Sequence, residues 1–578
     1  MQREQDRQGS RVRPPGRLAR RLLPSPIDVL LITVYLFSIA RPIFTENLWW
    51  RLGVGSWIVT HFDVPRRNLF SFAAEDYPWI DHEWLTDAFL FTVFDRLGPG
   101  WLLFLRGAVL SAILAVLYRL LRRRGGVVPA TVLTAGVAAG LLRYGELGPL
   151  LFACLLLSLL LTLVEDPAWR QGRTLILIPL LFLFWANAHG SFLVGLVLLG
   201  AHALGGRADT RRGRGNGGHR GHLVAAGLAI PLTLCNPYYG SLYVLGFEDL
   251  WQLLASVPLR LKLLPWSFVT LAGVLTFGAW LVIALAGREV RWRLVTPLIL
   301  LTPLAWFAPP YLSLWIVWAS VTLMEHLEQL AERVQHERTG YLEDVIGFSK
   351  FMRRLAPPFA ALSRFDRYLV HGNYAALTVA MALAYFSIPP GDTLTVLGTT
   401  VSGLTVEELV HEEAFPRGAV RALTSTAGDD VRVMAPIAWG GYLIWEGFPK
   451  LRPFVDGREA AYPLEVVEDY DLFADAGPGW EEVLERYEVD FLLWRSKEFQ
   501  VRALRAAGLW VPLYEDTVTT VLGRKYPLIH ASAPPMVIND DPEAIRAPEA
   551  RPRPGEPTPT PSPSVFGLFR PNRSGPRR

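Results

Sequence analysis

Long uninterrupted apolar runs, with no period-2 alternation of polar and apolar positions, dominate the chain up to about residue 325. A bilayer core needs about 20 apolar residues per helix, with a range of about 17 to 25. Runs that meet or approach this lie at 28–44, 100–121, 127–142, 147–164, 173–187, 190–205, 222–236, 265–286, 293–308 and 310–325. One more follows at 372–389, which gives an expected total of eleven spans. The short runs near 127, 173, 222 and 293 imply helices that tilt or cross incompletely.

Loop charge provides a separate test, because the Lys/Arg bias of short loops sets orientation. Every second loop is arginine-rich: Arg17, Arg20 and Arg21; Arg122 to Arg124; Arg170 and Arg173; Arg207, Arg211, Arg212, Arg214 and Arg220; Arg288, Arg291 and Arg293; then 326–370. The intervening loops near 145, 187–190 and 308–310 hold Arg143 alone, which places the amino terminus inside and both the 45–87 loop and everything after 390 outside. Small residues at Ser38-Ile39-Ala40 would alternatively suit a cleaved signal peptide, although the run is nearly a full span.

The polar parts divide as follows. Residues 1–27 form a basic cytoplasmic leader, 28–325 a helical membrane bundle with its outer loop, and 326–371 a cytoplasmic amphipathic linker punctuated by Pro357-Pro358. After the last span, 390–530 carries 13 Lys/Arg against 23 Asp/Glu and alternates short β-type runs (431–435, 452–456, 490–494, 518–522) with helical ones (480–487, 499–509). That order predicts a small extracytoplasmic α/β domain. The segment 531–578 is rich in Pro, Ser and Arg and predicts a disordered tail. The fold class is therefore mainly α, a polytopic membrane helix bundle with a small α/β domain.

Composition agrees: 51% hydrophobic residues, 19% charged and a mean hydropathy of +0.26 suit an integral membrane protein. Cys154 and Cys235 both fall in apolar runs and read as small hydrophobes. No glycine-rich phosphate loop, GxSxG elbow or HExxH is present, and the basic amino terminus is explained by orientation without nucleic acid.

The chemistry concentrates in 45–87. Glu46 follows the first span, where partial desolvation would suit a general base, or where it simply marks a helix end. Asp81, His82 and Glu83 stand between Trp79 and Trp84; on an extended backbone the two carboxylates share a face and His82 points away. With Glu46 they could hold a magnesium or manganese ion through oxygen ligands, or pair with arginines and stiffen the loop. Arg51, Arg66, Arg67 and the intramembrane Arg106 offer forked donors to a lipid phosphate, with snorkelling as the other explanation. Trp49, Trp50, Trp57, Trp79 and Trp84 suit either sugar stacking or an interfacial belt. Asn187 and His189 lie in an outer turn between two spans.

Taken in order, the frame Trp49 to Ile58, the run Pro65 to Ser71, the block Trp79 to Leu85, the turn 185–190, Asn236-Pro237, the frame 439–445 and Phe454 to Arg458 resemble the GT-C superfamily of polytopic glycosyltransferases. The bacterial members distantly similar to protein mannosyltransferases come nearest. The resemblance implies a sugar donor on polyprenyl phosphate, transfer on the outer side and an acidic base in the first outer loop. It also marks a departure: Thr45-Glu46-Asn47 stands where relatives carry two aspartates, and Asn68 where aspartate is usual.

The expected function is a plasma-membrane glycosyltransferase acting on an envelope acceptor, with Glu46, Asp81 or Glu83 catalytic and Arg51, Arg66, Arg67, His82, Arg106, Asn187 and His189 binding substrate. The substituted aspartates keep open a catalytically degenerate scaffold or assembly protein of envelope polysaccharide synthesis. A transporter or flippase of a lipid-linked substrate is the third alternative. Expected partners are the bilayer, the lipid-linked sugar and its acceptor.

Overall fold

The computed structural model describes residues 25–41, 43–144, 146–166, 172–214, 218–255, 266–286, 290–336, 393–396, 399–402, 415–426, 428–525 and 537–538, with the single positions 378, 382 and 405. The span expected at 372–389 apart from positions 378 and 382, most of the leader and linker, and nearly all of the tail lie outside them.

Helices follow one another from α1 (Pro26–Ile39) through α2 (Glu46–His61), α3 (Trp84–Leu97), α4 (Gly100–Arg122), α5 (Val127–Tyr144), α6 (Pro149–Glu165) and α7 (Thr174–Ala188). Then come α8 (Phe192–Arg211), α9 (His219–Thr233), α10 (Ser241–Ala255), α11 (Trp266–Ala286), α12 (Trp292–Phe307) and α13 (Pro309–His336). The hairpin β1 (Thr393–Val396) and β2 (Thr399–Ser402) precedes α14 (Arg417–Thr426), β3 (Val431–Met434), α15 (Ile437–Gly447) and β4 (Leu451–Pro453). The chain continues with α16 (Leu464–Ala474), α17 (Trp480–Arg486), β5 (Phe491–Arg495), α18 (Phe499–Ala507), β6 (Trp510–Glu515), β7 (Thr519–Arg524) and β8 (Val537–Ile538).

Two compact units divide these elements. One comprises Met1–Ile43 with His82–Leu409, the other Phe44–Asp81 with Val410–Arg578. The cut differs from the sequence-based boundaries, which assign all of 45–87 to the membrane bundle.

In the first unit α13 packs against α4, α5, α6, α11 and α12, while α9 lies against α7 and α8. Gly100–Arg122, Phe192–Arg211 and Phe268–Ala286 are long and apolar enough to cross a membrane, and five shorter apolar helices accompany them. Large side chains such as Phe184 (61% exposed) and Phe277 (70% exposed) face outward, as lipid-contacting residues do. This is the surface of a membrane protein. α13 runs to His336, beyond the span expected at 310–325 and into the expected linker.

One end of this unit is held by a buried charge network that apolar runs do not reveal. Glu165, at the end of α6, accepts from His202 (2.6 Å) and Arg293 (2.8 Å) and pairs with Arg124. Arg123 pairs with Asp166, and Arg291 with Glu325 at 3.2 Å. Asp209 near the end of α8 accepts from the backbone amides of Trp292 (2.9 Å) and Arg293 (3.1 Å), which caps the start of α12. These partners come from the ends of α4 and α6 and from α8, α12 and α13, so their pairing follows only once the helices are known to meet.

The second unit is built on a sheet of order β4-β3-β5-β7-β6-β8. β3 is parallel to β4 and β5, and β7 antiparallel to β5 and β6. The short apolar runs read as strands overlap β3, β4, β5 and β7, the run 452–456 only at its first two residues, and residues such as Val433, Leu492 and Leu522 are fully buried. α2 packs directly on α15. Gly441 permits the approach: a Cβ there would lie 2.7 Å from the Glu46 carbonyl oxygen and 3.0 Å from the Trp50 amide. Trp49 is fully buried in the seam, stacked on Phe44 at 4.5 Å and edge-on to Tyr442 at 5.1 Å.

Replacing Glu165 with Ala would leave two arginines and a histidine without their shared carboxylate in a buried site. A loss of about 3–5 kcal/mol is expected, measured as a lowered thermal midpoint in detergent, with Glu165→Gln less damaging because it keeps a hydrogen-bond acceptor.

Candidate functional site

The stretch expected as an extended outer loop is partly helical. Thr45 caps α2, its hydroxyl accepting from the Leu48 amide at 3.4 Å, and Leu48, Trp49, Leu52 and Ile58 form its buried face. Glu46 sits in the first turn with its side chain exposed, where the helix dipole favours a carboxylate. Arg51 lies over the Trp50 ring at 4.2 Å.

Residues 64–81 then fold as a turn fastened to the sheet unit. Asn68 organises it: its side-chain oxygen accepts from the amides of Phe70 (3.2 Å) and Ser71 (3.3 Å) and from Arg458 (3.1 Å), while its nitrogen donates to the Ala461 carbonyl at 3.0 Å. Ser71 donates to the Phe454 carbonyl at 2.6 Å. The Arg458 guanidinium lies between Phe70 (4.9 Å) and Trp79 (4.6 Å) and forks onto Asp456 at 2.8 and 2.6 Å. Burial works against its charge, but the Asp456 carboxylate outweighs that and holds it above its ordinary value. Tyr462, donating to Asp456 at 2.5 Å, is pushed well up by burial and the same carboxylate. The amide at 68, where the GT-C resemblance implies an acid, thus has a structural reason, since an amide can accept from Arg458 and donate to Ala461 at once. Arg66 and Arg67 are exposed, Arg67 lying 4.0 Å from Asp76; Asp81 is buried.

Across the unit boundary in sequence, His82 and Glu83 open α3. The backbone here turns, which corrects the extended reading in which His82 points away from the carboxylates. Instead His82 Nε2 lies 3.6 Å from Glu83 Oε1, and His189 Nε2 reaches the same oxygen at 3.4 Å. The His189 ring is oriented from behind, since the Ser191 amide donates to its Nδ1 at 2.9 Å. In the neutral ring this puts the proton on Nε2, facing the carboxylate. Asn187 holds the framework: it accepts from the Trp84 indole at 3.0 Å and donates to the carbonyls of Leu183 (2.8 Å) and Cys235 (3.0 Å). Thr86 donates to the Ala188 carbonyl at 2.9 Å. Gly190 leaves room for the ring, as a Cβ there would come within 3.0 Å of His82.

Four expected site residues, His82, Glu83, Asn187 and His189, therefore converge in the first unit. Glu46, Arg51, Arg66, Arg67 and Asp81 belong to the second. Arg106 is otherwise occupied, donating to the carbonyls of Ser38 and of Arg41 (2.7 Å) past the end of α1. The set Glu46, Asp81 and Glu83 is not supported as a divalent-cation site. Among the described residues no group of three or more His, Cys, Asp or Glu is arranged to hold a metal ion. The convergence of Glu83 with the 185–190 turn was carried in the sequence only by the placement of both at the same side of the membrane.

No protein-family model matches the chain, and no curated protein matches it. Among solved structures it is similar to the oligosaccharyltransferase of Archaeoglobus fulgidus in the apo form, at 10% identity over 87% of this chain and 75% of that one, with a TM-score of 0.44. The archaeal enzyme in complex with an inhibitory peptide and a dolichol-phosphate gives 12% identity over the same shares and 0.45. Likeness at this level carries neither residue roles nor activity to this chain.

Arg458→Ala would strand the Asp456 carboxylate, buried to 1% exposure, without its cation. The expected cost is about 3–5 kcal/mol, read as an earlier unfolding transition of the purified protein and increased proteolysis between residues 60 and 80.

Proposed function

We propose that the protein is a multi-pass membrane glycosyltransferase that moves a sugar from a polyprenyl-phosphate donor to an acceptor hydroxyl. The observation that carries this reading is the Glu83 carboxylate flanked by the Nε2 atoms of His82 and His189 at 3.6 and 3.4 Å. It is supported by the ordered motifs shared with GT-C proteins and by the apolar helices that surround it in sequence. The eleven-span topology, with Glu83 on the outer face of the plasma membrane and 390–530 outside, belongs to the same proposal and rests on the arginine bias of alternate loops.

In this mechanism Glu83 is the general base. The acceptor oxygen attacks the anomeric carbon and its proton passes to the carboxylate; the bond from that carbon to the phosphate oxygen breaks, and the lipid phosphate leaves with the electron pair. The anomeric configuration inverts. His189, with its proton directed at Glu83, and His82 hold the carboxylate in one orientation and stabilise its charge before transfer. Asn187 and Trp84 fix the turn that carries His189. Arg51, Arg66 and Arg67 remain proposed phosphate-binding groups of the second unit, Arg66 and Arg67 because their guanidinium groups stay exposed. Arg106 is withdrawn from that role, and with it the feature that favoured a transport path.

Transfer of labelled sugar from a lipid-linked donor, measured in membranes carrying each variant, tests the assignment. Glu83→Gln should reduce transfer by about 10²–10⁴-fold, His189→Ala by a smaller factor, and Glu46→Ala least. Full activity of Glu83→Gln would overturn the site; absence of transfer by the parent chain with every donor tried would favour the scaffold reading.

A further inference from the structure

Arginines at the end of the first unit remote from Glu83 differ in their surroundings, and Arg119, Arg207, Arg211 and Arg212, on or just past α4 and α8, are exposed. Arg123, Arg124, Arg291 and Arg293 each have a carboxylate partner. Arg173, at the N-cap of α7, and Arg220, in the first turn of α9, are exposed and sit outside that network.

Their placement is specific. α7 and α9 pack together, and the Asn187 side chain at the end of α7 bonds the Cys235 carbonyl just past the end of α9, so the two helices run in the same direction and their first turns lie at the same end of the pair. From Arg173 an exposed apolar stripe rises along one face of α7 at helical spacing: Ile176 (64% exposed), then Leu180 and Phe184. From Arg220 a second rises along α9 through Leu223 and Val224. Two cations thus stand at the foot of two adjacent lipid-facing stripes.

We propose that this pair of helices binds an anionic phospholipid, its phosphate held by Arg173 and Arg220 and its acyl chains laid along the two stripes. Charge complementarity selects the occupant: forked donors match phosphate oxygens, and apolar faces continuous with them match hydrocarbon. Orientation alone requires arginines on this side of the membrane. It does not require them to head exposed apolar stripes on two helices that pack together. The site is separate from Glu83, since the 15 residues of α7 span about 22 Å. It does not depend on the glycosyltransferase reading.

The full chain in detergent, titrated with phosphatidylglycerol or phosphatidylcholine and followed by thermal shift and native mass spectrometry, tests the proposal. Phosphatidylglycerol should raise the midpoint and remain bound, phosphatidylcholine should not, and the effect should weaken with salt. Arg173→Gln/Arg220→Gln should weaken phosphatidylglycerol binding by about 10- to 30-fold, while Arg502→Gln in the second unit leaves it unchanged. Should the double variant fail to fold, each single variant is expected to lose part of the effect. Retention of full binding by the double variant or by both single variants overturns the site, as does an equal shift produced by inorganic phosphate alone, which would make it a free-anion site.

Discussion

A guanidinium held between two aromatic rings governs how the amino-terminal part of this chain is arranged. Arg458 takes Asp456 as its counter-ion, Asn68 as its second polar partner and Phe70 and Trp79 as its walls. Because every one of these groups is buried, the desolvation cost of the ion pair is offset only by the hydrogen bonds made within the cluster. The segment 64–79 is thereby given one conformation, and the helix before it is fixed through its close approach to α15 at Gly441.

The membrane unit solves a similar problem differently. Its helices cannot gain from burying apolar surface against one another when the surrounding lipid is equally apolar, so polar contacts and small residues carry specificity. Glu165 shares its two oxygens among two arginines and a histidine drawn from the end of α4, from α12 and from α8. At the other end, Asn187 and Trp84 join α3, α7 and the residue following α9. These two polar layers set the register of the helices between them, and the Glu83 site is built on the second.

Much of the helical architecture was legible in the chain because apolar runs of nearly span length leave few alternatives. The strands of the second unit were legible for the same reason, as short apolar runs between helical stretches. What could not be read was pairing over long distances. The P-x-x-N-x-F-S run gave no sign that Asn68 would bond Ala461, and the Phe-Val-Asp-Gly-Arg stretch gave none that its arginine would serve the first outer segment. α2 was hidden by its polar and tryptophan-rich composition, although the Thr45 cap and the apolar positions 48, 49, 52 and 58 encode it. For the candidate site, Glu83, His82, Asn187 and His189 were legible as residue types at one membrane edge; that both imidazoles would address one oxygen was not.

The partnership between 44–81 and the carboxyl-terminal sheet has a consequence for biosynthesis. Asn68 meets a partner 393 positions further along, so at about 5–20 residues per second the ribosome needs tens of seconds to deliver it. Throughout that interval Leu48, Trp49, Phe70 and Trp79 have no native surface to cover them. The nascent protein must therefore be shielded, by the lipid headgroup layer or by a chaperone on that side, until the last quarter of the polypeptide emerges.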